Sequence, residues 1–157
     1  MRIRDFSKAF ALALALVAPH TGALAQGSAS HQVSISIPTV LRLRMVDSAT
    51  SDRATHAVAV EVAGDVVRIE PGTTRIEIRA NDDWALDVQY RPAGGSASVP
   101  LAASVDGSTW HRLSDGARIA TGAPTGDWRS IDVAYRLLSA VADGSYQGTV
   151  TYSLTQP

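Results

Sequence analysis

The chain has 157 residues, 45 % of them apolar, no cysteine, and 14 basic against 15 acidic side chains, for a formal charge of −1. Its one lysine, Lys8, lies near the start, so from Gln26 onward eleven arginines face fourteen carboxylates. Beyond residue 25 this excludes a lysine nucleophile, a Schiff base, a lysine isopeptide cross-link, a disulfide and a thiolate metal site, and it predicts no concentrated basic surface of the kind nucleic acid needs.

Arg2, Arg4 and Lys8 precede an apolar run from Ala9 to Ala18, and Ala23-Leu24-Ala25 follows. This is the layout of a secretory signal with cleavage after Ala25. The run is about half the roughly 20 residues a membrane-spanning helix needs, so it reads as removed rather than as an anchor. Residues 26–31 contain Gly27-Ser28-Ala29-Ser30 and read as a flexible lead. Residues 32–157 are expected to form a single domain.

From there the chain alternates with a period of two, the pattern of half-buried strands. Val33, Ile35, Ile37, Leu41, Leu43 and Met45 share one face, with Pro38 bending the segment or placing it at a sheet edge. Arg42 and Arg44 take the other face, where arginine discourages edge-to-edge aggregation or meets a partner's carboxylates. Val58, Val60 and Val62, the Gly64-Asp65 turn, and Val67 and Ile69 predict a hairpin. Pro71-Gly72 turns into a short strand at Ile76 and Ile78. Trp84, Leu86, Val88 and Tyr90 form the next strand, with both aromatics on its buried face. Pro92 to Ser98 reads as an exposed loop, and Val99 to Val105 as a strand. Trp110 to Leu113 and Ala117 to Ala120 are predicted to pair as a hairpin across Ser114-Asp115-Gly116. Ile131 to Leu137 and Tyr146 to Leu154 close the series. Nine to eleven short strands without a helix after the signal predict an antiparallel, immunoglobulin-like β-sandwich, with a small β-barrel as the alternative.

The stretch Asp143 to Pro157, DGSYQGTVTYSLTQP, resembles the closing strand of exported bacterial immunoglobulin-like modules. Gly144 and Tyr146 look like a tyrosine corner, whose ring packs at a sheet end while its hydroxyl satisfies a nearby backbone group. In layout the whole chain is similar to fimbrial and spore-coat-U-like subunits, and more loosely to WxL-type surface domains. Gly144 stands fourteenth from the end, as a glycine does in chaperone-usher pilins. The penultimate residue is Gln156 rather than tyrosine, and Gly148 stands where antibody-type domains carry cysteine. The resemblance implies an N-terminal segment that completes a neighbour's fold, which makes Val33, Ile35 and Ile37 either a donated strand or the chain's own first core strand.

No catalytic constellation is apparent. His31, His56 and His111 lack metal-ligand spacing and read as surface or turn residues. No G-x-S-x-G elbow exists, and Gly94-Gly95-Ser96 reads as a loop. Asn81-Asp82-Asp83 is either a corner capping its own backbone or an oxygen-ligand site for Ca²⁺. Trp110 and Trp128 are the candidate ligand or partner contacts, or else cover a sheet end. The expectation is an exported structural or adhesive surface protein, a coat- or fimbria-like subunit at the cell surface or in the periplasm, with no enzymatic activity, cofactor or metal. Its expected partners are itself or other surface subunits, without nucleic acid or a transmembrane anchor. A secreted carbohydrate- or ligand-binding module is the alternative, and a periplasmic chaperone or inhibitor would share the architecture.

Overall fold

The alternation is realised as ten strands in a computed structural model that describes residues 35–45, 50–95 and 97–157. They are β1 (Leu41–Met45), β2 (Arg53–Ala63), β3 (Val66–Glu70), β4 (Thr73–Ala80), β5 (Trp84–Pro92), β6 (Leu101–Ser104), β7 (His111–Arg112), β8 (Ala117–Gly122), β9 (Arg129–Leu137) and β10 (Gly144–Thr155). All lie in the unit Ile37–Pro157. Every pairing is antiparallel, in two five-stranded sheets ordered β1-β4-β9-β6-β7 and β3-β2-β10-β5-β8. Among the described residues no helix is long and apolar enough to cross a membrane.

Period-two patterning determines which face each strand buries. In β4, Thr74, Ile76, Ile78 and Ala80 are buried while Arg75 and Arg79 are exposed. In β10 the buried set is Gly148, Val150, Tyr152 and Leu154. The two inward faces meet in one core that includes Trp84 and Tyr90, at 1 % and 2 % exposure. Gly148 belongs to that core because the Tyr90 ring lies where a Cβ would be.

The Ser114-Asp115-Gly116 turn does not close a hairpin. β7 pairs with β6 in the first sheet, whereas β8 pairs with β5 in the second. Leu113, fully buried, donates its amide to the Leu101 carbonyl and accepts from the Tyr90 amide, at 3.0 Å each, so it bonds to both sheets. A turn flanked by alternating segments looks the same in sequence whether the chain folds back or crosses to the facing sheet.

The first strand is also shorter than expected. The signal segment 1–25, the lead 26–31 and Val33 lie outside the described residues. Ile35 and Ile37 are 79 % and 77 % exposed and belong to no strand, so they are not part of the chain's own core, and the first core strand starts at Leu41. Asn81 explains where pairing begins. Its side chain accepts from the Val40 amide at 2.7 Å and donates to the Pro38 carbonyl at 2.9 Å, imitating a strand neighbour just ahead of β1. Proline at 38 has no amide with which to extend that ladder.

Candidate functional site

The outward face of the β1-β4-β9-β6-β7 sheet carries an unusual set of side chains. Register places Arg42 opposite Arg79, Arg44 opposite Glu77, Arg75 opposite Asp132, and Arg136 opposite Ala102, which is itself opposite Arg112. Their partners in alternation, such as Leu43, Ile76, Ile78 and Val133, are buried in the core. This one face therefore holds six arginines and two carboxylates. The remaining described residues hold five arginines and eleven carboxylates. The near-neutral total conceals this segregation.

Two of the six arginines are neutralised locally. Arg44 pairs with Glu77 at 2.5 Å and Arg75 with Asp132 at 2.8 Å. The Arg75 guanidinium accordingly holds the Asp132 carboxyl below its ordinary range. Arg42, Arg79, Arg112 and Arg136 are exposed and have no carboxylate partner among the described residues.

Both candidate tryptophans belong to this face, and each is half-buried beneath an arginine. The Arg44 guanidinium lies 4.2 Å from the centre of the Trp128 ring, and that of Arg136 lies 4.3 Å from Trp110. Such stacking fixes the indoles and places cationic charge beside them. Trp128 also borders a hollow of about 520 Å³ together with Arg42, Arg79, Val40 and Asn81. Thr125 supports its rim by exchanging hydrogen bonds with the Ala80 backbone, both at 3.0 Å. The opposite outer face has a hollow of about 570 Å³, but there Arg118 is already paired with Asp87, and Thr155 donates to the same carboxylate at 2.8 Å.

His56 is not a surface histidine. It is half-buried against the core, with Nδ1 3.0 Å from the Ala57 carbonyl, and Nε2 3.0, 3.1 and 3.3 Å from the hydroxyls of Tyr135, Tyr152 and Thr74. Its ring stacks on Tyr152, and the two tyrosine hydroxyls also bond to one another. Burial lowers the His56 pKa and raises that of Tyr135. The ring is therefore neutral, with Nδ1 donating to the carbonyl and Nε2 accepting from hydroxyls. No carboxylate is among its hydrogen-bond partners. Sequence offers no hint of this cluster, because its members come from four strands separated by up to 96 residues.

Asp82 accepts from Gln156 Nε2 at 3.1 Å and from the Asp83 amide at 2.8 Å. No group of three metal-ligating side chains converges among the described residues. The Tyr146 hydroxyl donates to the Ala142 carbonyl at 2.7 Å, and its ring packs beside Gly144. His111 lies in β7, and His31 is outside the described residues. No protein-family model, curated protein or solved structure matches the chain.

Proposed function

We propose that the chain is an exported, non-catalytic surface protein that assembles with copies of itself or with other surface subunits, in the manner of a coat or fimbria. The observation that carries this reading is the exposed pair Ile35 and Ile37. They keep the alternation of a strand yet pair with nothing among the described residues. An extended apolar segment of this kind is suited to adding a strand to a neighbour's sheet edge. The edge strand β3 offers complementary chemistry, since Val66 and Val67 are 67 % and 47 % exposed. A hollow of about 410 Å³ lined by Val67, Ile69, Tyr135 and Leu137 adjoins it. The His56 cluster supports the non-catalytic reading, because its Nε2 faces only hydroxyls and no carboxylate orients it as a general base.

Light scattering after gel filtration, on the exported chain and on one beginning at Thr39, tests this. The exported chain should form multimers, and the shortened chain should stay folded and monomeric until a peptide spanning residues 32–38 is added back. A stable monomer in both cases, with the added peptide unbound, overturns assembly through this segment.

A further inference from the structure

Beyond assembly, and independently of residues 35–37, we infer that the outward face of the β1-β4-β9-β6-β7 sheet binds an extended anionic polysaccharide, with Arg42 and Arg79 beside Trp128 gripping one of its carboxylate or sulfate groups. Arg42 and Arg79 are direct cross-strand neighbours, and like charges in that position repel. No carboxylate among the described residues relieves them, and they open onto the 520 Å³ hollow. Two planar guanidiniums at such a spot present parallel N–H donors matched to a carboxylate or sulfate. The adjacent indole, capped on one face by Arg44, adds apolar lining to the hollow for the C–H groups of a sugar ring, the combination of apolar surface and a few placed polar groups typical of a ligand site.

A second basic cluster lies at the far end of the sheet, where Arg112 and Arg136 flank Ala102 from its two sides and Arg136 stacks on Trp110. Trp128 and Arg136 are eight residues apart along the β9 direction, or about 26 Å at the rise of a strand. Between them the arginines are paired with Glu77 and Asp132. A small anion occupies one end only, whereas a polymer reaches both and gains from linked binding. The indoles favour a sugar polymer over an acidic peptide. The export put forward in the proposed function, on which this choice of ligand rests, favours an extracellular polyanion over nucleic acid.

The test is titration of the exported chain with polygalacturonate, dextran sulfate, uncharged dextran and single-stranded DNA, followed by calorimetry at two salt concentrations. Both anionic polysaccharides should bind, more weakly as salt rises, and trigalacturonate should bind at least tenfold more weakly than the polymer. Dextran should not bind. The double variants Arg42→Ser/Arg79→Ser and Arg112→Ser/Arg136→Ser should each lose at least tenfold in affinity, while Arg53→Ser/Arg118→Ser on the opposite face should stay within twofold of the parent. Absence of saturable binding to either polysaccharide at low salt overturns the proposal. So does equal loss in all three double variants, which would mean diffuse attraction without a site. DNA bound more tightly than both polysaccharides overturns it in favour of a nucleic-acid surface.

Discussion

Acidification probes His56, the histidine that the fold holds against the core. His56 is neutral in the folded chain because burial opposes its protonation more than the Ala57 carbonyl favours it. Its folded pKa therefore lies below the unfolded value of 6.5. Above that value neither state takes up a proton and the stabilising difference is intact. As pH falls through 6.5 the unfolded chain binds a proton that the folded chain refuses, and stability declines until the folded pKa is reached. For one histidine the loss between pH 7.5 and 5.5 cannot exceed about 1.4 kcal/mol. The ring is only half-buried, and solvent screening keeps the expected loss well below that ceiling. Urea denaturation of the parent and of His56→Gln at both pH values isolates the effect, because the difference between the two losses removes every other titrating group. The parent should lose more stability than the variant over this interval. Parallel losses, or a parent that gains stability on acidification, would refute a desolvated, neutral His56.

Gly148→Ala should destabilise the fold by about 1–3 kcal/mol, the usual range for overpacking, since its methyl group overlaps the Tyr90 ring and the Arg91 carbonyl; a lowered urea midpoint with an unchanged slope would show it. Tyr146→Phe removes only the hydroxyl bonded to Ala142 and should cost about 1 kcal/mol, read by the same assay. Asn81→Ala frees the Pro38 carbonyl and the Val40 amide, so hydrogen exchange at Val40 should accelerate while β9 and β10 amides keep their protection.

Much of the sandwich is legible residue by residue. Strict alternation at Trp84, Leu86, Val88 and Tyr90, and at Ile131, Val133 and Tyr135, identifies strands and their inward faces correctly, because one side of each is buried. Two features depend on information that period two does not carry. At Leu113 the chain switches sheets, a choice set by which backbone groups lie opposite it rather than by its neighbours in sequence. At Ile35 and Ile37 the pattern of a core strand is present but the pairing partner is not, so alternation alone predicts burial that does not occur. The basic face is hidden for a related reason. Each arginine is visible as an outward residue of its own strand, but only the order β1-β4-β9-β6-β7 gathers all six on one surface.

That order also separates two explanations for the arginines. Charge on an edge strand keeps sheets from pairing with one another. This accounts for Arg42 and Arg44, since β1 is an edge, but β4 and β9 are interior strands whose backbone groups are already paired on both sides. Edge protection therefore gives no reason for Arg79 or Arg136. Arg79 sits opposite a like charge, an arrangement that costs roughly 0.2–1 kcal/mol. If it is retained for binding, Arg79→Ser should leave solubility unchanged and raise stability by a few tenths of a kcal/mol, while weakening capture of an anionic polymer. Arg42→Ser should relieve the same repulsion but also expose an unguarded edge, so its aggregation above the concentration tolerated by the parent is the expected contrast. A fall in stability or solubility for Arg79→Ser equal to that for Arg42→Ser would mean that both arginines serve the fold, and would remove the reason for assigning the interior one to a ligand.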